Sequence, residues 1–90
     1  MVLKKQDFLD VVIVDPNRII YEGKANKVFA PSKVADLALL PDHTPLYTEL
    51  VEGIVTIEEV GGRQIEEKID GGIIRIKNNT LTILIGFWQH

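Results

Sequence analysis

Apolar residues recur at nearly every second position along this chain, and β-branched side chains fill most of those positions. A period of two sends alternate side chains to opposite faces of an extended backbone, so the pattern predicts half-buried β-strands. Helical periodicity is absent from every long window. Phe8 to Val14 reads as a first strand, closed by Asp15-Pro16-Asn17, where proline presets φ and Asp and Asn accept turn geometry. Arg18 to Glu22 reads as a second strand broken by Gly23, and Lys24 to Ala30 as a third, stopped by Pro31, which has no amide to give a ladder. After a loop over Ser32 to Ala35, Asp36 to Leu40 is a short apolar strand. Pro41-Asp42-His43-Thr44-Pro45 ends it, and two prolines exclude a helix interior there. Leu46 to Leu50 reads as extended.

The second half alternates more regularly. Gly53 to Val60 and Arg63 to Ile69 flank Gly61-Gly62, a two-residue connection suited to the positive φ angles of a tight hairpin. Val55 and Ile57 share one face, with Ile65 and Ile69 across from them, while Gln64, Glu66 and Lys68 face water. Asp70-Gly71-Gly72 reads as the next turn. Ile73 to Lys77 and Thr80 to Ile85 then form a hairpin about Asn78-Asn79, with Ile74, Ile76, Leu81, Ile83 and Ile85 as apolar rows. About eight to ten short, mostly antiparallel strands result, which predicts an all-β flattened sandwich or barrel. No internal repeat divides residues 1–90, so they are expected to form one domain.

Composition narrows the function classes. The chain has 90 residues, 46% of them hydrophobic, and no cysteine. A domain this small buries only ~60–65% of its unfolded surface, so its core must suffice without disulfides or be completed by a partner. A formal charge of −3 argues against nucleic acid as the main ligand, because phosphate binding needs basic patches. Basic pairs such as Lys4-Lys5 are local. The apolar runs Val11 to Val14 and Thr80 to Trp88 fall short of the ~20 residues that span a bilayer, and Asp7 and Asp10 interrupt any secretory leader. The chain reads as cytosolic and not membrane-spanning.

Catalytic chemistry has little material. Ser32 is the only serine and His43 the only interior histidine. They can be written into a triad with Asp36 or Asp42, but nothing marks a nucleophile turn or an oxyanion hole. Asp42-His43 is at most half a metal site, His90 is terminal, and neither Gly-Gly pair leads into a phosphate-binding helix, so no metal or cofactor is expected. Glu58-Glu59 and Glu66-Glu67 can face each other across their hairpin as paired carboxylates or as a solvated face that discourages edge pairing. Phe87-Trp88 and Tyr47 are either docking aromatics or packing groups. A binding or structural module remains.

Seven ordered pieces carry a family resemblance. They are Leu9-Asp10-Val11-Val12, Glu22-Gly23, Val28-Phe29-Ala30-Pro31, Asp36-Leu37 and Leu40-Pro41-Asp42-His43-Thr44-Pro45-Leu46, followed by Val51-Glu52-Gly53-Ile54-Val55 and Asp70-Gly71-Gly72-Ile73. Together, over about residues 8 to 86, they resemble the N-terminal β-sandwich domain of the F-type ATP synthase epsilon subunit, counterpart of the mitochondrial delta subunit. The family often has glycine where Ala35, Ala38 and Asp42 stand, and Asp42 tolerates positive φ better than Ala35. Thr44 replaces a common alanine. The family's C-terminal helical hairpin has no counterpart before His90.

The resemblance implies a non-catalytic rotor part of the central stalk, packed on the gamma subunit and touching the c-ring to couple ion translocation to ATP synthesis. It would sit peripherally on the cytoplasmic face of a bacterial inner membrane. Lys33, Val34, Ala35 and Asp36 would face the c-ring, with Asp36 as the charged contact unless it caps its own turn. Asp42, His43, Thr44 and Tyr47 would face gamma, as would Asp15, unless His43 is simply held by the double-proline turn. A competing reading is a stand-alone β-sandwich that binds carbohydrate or another small ligand through Tyr47, Trp88 and the acidic hairpin.

Overall fold

A computed structural model describes residues 7–86. The Phe87-Trp88 pair, His90 and Lys4-Lys5 lie outside the described residues. Six strands form the fold: β1 (Leu9–Val14), β2 (Ile19–Pro31), β3 (Asp36–Leu39), β4 (Leu46–Glu59), β5 (Gln64–Lys77) and β6 (Thr80–Leu84). The all-β class stands, but six strands, three of them 13–14 residues long, replace the expected eight to ten short ones.

The difference lies in glycines read as breaks. Gly23 is extended and pairs with Val11 inside β2, where a Cβ would collide with the Tyr21 ring folded over it. Gly71 and Gly72 likewise lie within β5, paired with Val51 and Leu50, so Asp70-Gly71-Gly72 is not a turn. A Cβ on Gly72 would come within 2.6 Å of the Leu84 carbonyl oxygen, so the missing side chain lets β5 cross β6 closely. The ladder keeps one register from Leu46↔Ile76 to Glu58↔Gln64, which merges two expected strands into β4 and two more into β5.

The turns of the β4–β5 and β5–β6 hairpins differ in chemistry. Asn78 and Asn79 connect β5 and β6 with φ of 52° and 62°, the left-handed pair that a two-residue turn needs and that Asn tolerates. The Gly61-Gly62 connection is longer than expected. It spans Val60 to Arg63, only Gly62 has positive φ (96°), and it closes through Gly62 N–H to the Glu59 carbonyl at 2.9 Å and Glu59 N–H to the Arg63 carbonyl at 2.8 Å.

The strand order is β1-β6-β5-β4-β2-β3, and β1 also pairs with β2. Five strands therefore close into a barrel, with β3 added outside on β2. Only β1–β6 is parallel. Near Asn26 the register of β2 on β4 slips, at the point where β2 leaves β1 for β3 and β4. Inward positions are those the alternation predicts: Leu9, Val11 and Ile13; Val55 and Ile57; Ile69, Ile74 and Ile76; Leu81 and Ile83. Ala25, Val28, Ala30, Leu39 and Leu50 complete the core.

Gly72→Ala should lower stability in urea unfolding by about 1–3 kcal/mol, since its methyl group must displace a backbone oxygen. Gly61→Ala, with open space around it, should change stability by less than ~0.5 kcal/mol. Equal effects would show that close approach is not why β5 carries glycine there.

Candidate partner-contact turns

Two turns lie at opposite ends of β3, roughly 10 Å apart at ~3.3 Å per residue. The first joins β2 to β3. Ser32 is buried, its hydroxyl donates to the Ala35 carbonyl, and it accepts from the Ala35 amide at 3.0 Å; Ser32 N–H also reaches the Ala35 carbonyl at 3.2 Å. Lys33 N–H donates to the Glu49 carbonyl at 3.0 Å, which ties the turn to β4. Its ammonium lies 3.9 Å from the Glu49 carboxylate, an exposed pair of little energetic weight. The backbone is thus fixed while the side chains point outward. Val34 is 90% exposed, and Lys33, Ala35 and Asp36 are exposed beside it. Asp36 does not cap this turn, because Ser32 already does.

The second turn joins β3 to β4. Asp42 has φ of 66°, and its amide donates to Asn79 Oδ1 at 2.6 Å while Asn79 Nδ2 donates to Asp42 Oδ1 at 3.1 Å. His43 N–H closes the turn on the Leu40 carbonyl at 3.2 Å, and its ring Nδ1 donates to the Thr44 carbonyl at 2.6 Å. Thr44 is exposed. Tyr47, 69% exposed, stands opposite Arg75 above a shallow groove of ≈ 230 Å³ lined by Pro45, Leu46, Arg75, Ile76 and Lys77.

Asp42, His43, Thr44 and Tyr47 therefore share one end of the barrel. Asp15 does not join them: it follows β1, whereas Asn79, the partner of Asp42, receives the Asp10 amide at the start of β1. The Asp15 carboxylate is spent on its own turn, accepting from Asn17 N–H at 2.8 Å and Arg18 N–H at 2.9 Å. Ser32 and His43 are likewise kept apart, each on its own turn. Among the described residues no group of three potential metal ligands forms.

Sequence reasoning missed Asn79, which lies 37 residues from Asp42 and reads only as a turn residue. It also missed a cluster on the acidic hairpin. Glu58 and Glu59 do not face Glu66 and Glu67; Glu58 stands opposite Gln64, Glu66 opposite Thr56 and Glu67 opposite Val55. Instead Glu59 accepts from the Tyr21 hydroxyl and from Arg63 Nε at 2.9 Å. Burial first, then hydrogen bonding to and repulsion by Glu59, push the Tyr21 phenol up to about 12. Arg63, then Tyr21, hold Glu59 below the usual carboxylate range. This cluster pins the β4–β5 hairpin to β2.

The sequence profile of the ATP synthase delta/epsilon chain β-sandwich domain matches residues 8–86. The chain belongs to that ATP synthase family. Relatives include ATP synthase epsilon chains of Corynebacterium efficiens (33% identical over 91% of this chain and 68% of that one) and Xylella fastidiosa (38%, over 80% and 51%). That of Frankia casuarinae is 36% identical over 82% of this chain and 87% of its own length. Against several other epsilon chains the match likewise covers a little over half of their length. The fold also superposes on one chain in the Euglena gracilis mitochondrial ATP synthase OSCP/F1/c-ring structure (TM-score 0.85, 15% identity, 91% of this chain and 52% of that one). A chain of the Tetrahymena thermophila central stalk/c-ring structure gives TM-score 0.71 at 21% identity, over 93% of this chain and 66% of that one. These two share the fold of this chain.

The Tyr21 phenol holds its proton more tightly in the folded chain than in the unfolded one, where it titrates near 10. Its contribution to stability is present below pH ~10 and lost as pH rises through about 12. The urea midpoint of the wild type should therefore fall more steeply than that of Tyr21→Phe over this window; parallel profiles would remove the phenol from the latch.

Proposed function

We propose that this chain is a non-catalytic rotor component of an F-type ATP synthase central stalk, coupling ion translocation in the c-ring to ATP synthesis. Family membership supports the assignment to the synthase, and one geometric observation supports the mode of action. A single rigid barrel carries two braced turns with exposed side chains at opposite ends of β3. Such a body can bridge two partners and pass torque between them without slip.

In this reading Lys33, Val34, Ala35 and Asp36 meet a polar or basic loop of the c-ring. The Asp36 carboxylate suits that role because its turn is capped by Ser32. Asp42, His43, Thr44 and Tyr47 meet gamma, with Tyr47 as the aromatic anchor. Asp15 stays outside the contact, since its carboxylate serves its own turn. The complex would hold the chain peripherally at the cytoplasmic face of a bacterial inner membrane; no helix among the described residues is long and apolar enough to cross it. The carbohydrate-binding alternative finds less support. Tyr47 and the acidic Glu58-Glu59 pair occupy opposite ends of the 14-residue β4, and the groove beneath Tyr47 is lined by neither glutamate.

Co-expressed with gamma, the chain should co-purify as a stable pair. Tyr47→Ala should weaken that pair about tenfold or more while leaving the urea midpoint of the free chain nearly unchanged. In assembled synthase, Asp36→Lys should reduce proton-driven ATP synthesis without unfolding the chain. Failure to bind gamma, with binding to a sugar panel instead, would replace this reading by the ligand-binding one.

A further inference from the structure

The turn proposed to face gamma depends on a residue outside it. Asp42 adopts a left-handed φ of 66°, a conformation that Asp tolerates and that outside support holds in place. That support is one amide side chain. Asn79 Oδ1 accepts the Asp42 backbone N–H at 2.6 Å, and Asn79 Nδ2 donates to the Asp42 carboxylate at 3.1 Å. Asn79 is itself only 9% exposed, has φ of 62°, and its carbonyl accepts the Asp10 N–H at 2.8 Å. Three segments distant in sequence thus converge on Asn79: the Pro41–Pro45 turn, the β5–β6 turn and the start of β1.

We infer that Asn79 is a positioning residue for the gamma contact, acting through Asp42 to hold His43 and Thr44 in their binding orientation. This rests on the reading that residues 42–47 face gamma. The direction of the chain at Asp42 decides where His43 points, and the His43 ring then locks onto the Thr44 carbonyl. A turn held in advance loses less conformational entropy on docking, so the clasp raises affinity without touching the partner. The chemistry is selective. Asp42 offers a backbone donor and a carboxylate acceptor, so its partner must both accept and donate, which among side chains of this length an amide does and a carboxylate does not.

That asymmetry gives a test with internal rescue, carried out on the full chain with the gamma subunit of the same synthase as the probe. Asn79→Asp retains a residue that tolerates left-handed φ but sets two carboxylates together. Near neutral pH it should weaken gamma binding about tenfold and speed hydrogen exchange at the Asp42 amide. The swap Asp42→Asn with Asn79→Asp can keep the backbone N–H of residue 42 donating to the new carboxylate and remake the side-chain bond with donor and acceptor exchanged, and should restore affinity and protection. Asn79→Gly, which keeps the backbone freedom and removes the side chain, should bind as weakly as Asn79→Asp; it supplies the measurement if the latter does not fold. Loss in the single variants with rescue in the swap supports the inference. If Asn79→Asp and Asn79→Gly bind like wild type while His43→Ala and Tyr47→Ala do not, the clasp is overturned and the contact surface stands. If none of these variants changes affinity, the surface reading fails and the clasp's role fails with it.

Discussion

Everything in this fold depends on β1 having two partners. It pairs antiparallel with β2 and parallel with β6, so the N-terminal strand joins the last described strand and closes the barrel. Without that closure β2 and β6 would present open edges, and Leu9, Val11 and Ile13 would leave the middle of the core. Closure also explains how so short a chain holds together without a disulfide. Each strand contributes its inward row to one shared interior, and the edge strand β3 is only four residues long.

Closure fixes where the candidate contact turns can be. Because β3 lies outside the ring of strands, its two ends project as turns braced from different sides: by Ser32 and the β4 backbone at one end, by Asn79 at the other. Both braces use hydrogen bonds within a dense β body, which suits the proposed force-transmitting role. The strongest electrostatic perturbation, at Tyr21, Glu59 and Arg63, belongs to the same logic. It is a latch between β2 and the β4–β5 hairpin.

The alternating rows were legible in the sequence because burial has a strict period of two in a strand. Leu9 to Val14, Val55 with Ile57, and Leu81 with Ile83 sit where that period puts them. The positions of breaks were harder to read, because glycine serves two purposes. At Gly62 it turns the chain, while at Gly23 and Gly72 it lets a ring or a backbone oxygen approach, and local sequence does not distinguish the two. The turn around Pro41 to Pro45 was legible from its prolines, and the left-handed Asp42 from its tolerance of positive φ. Its clasp to Asn79 was not, since it joins residues 37 apart that meet where the start of β4 pairs with the end of β5. That Asp15 and the Asp42 turn lie at opposite ends of β1 is likewise visible only in the topology.

The central claim is that one rigid sandwich bridges two partners through turns at opposite ends of β3. Cryo-electron microscopy of the assembled synthase containing this chain tests it most directly. The account predicts the Ser32–Asp36 turn against the c-ring loops and the Asp42–Tyr47 edge against gamma, with the Asp42–Asn79 clasp intact. Density showing both turns facing solvent, or both meeting the same partner, would contradict it.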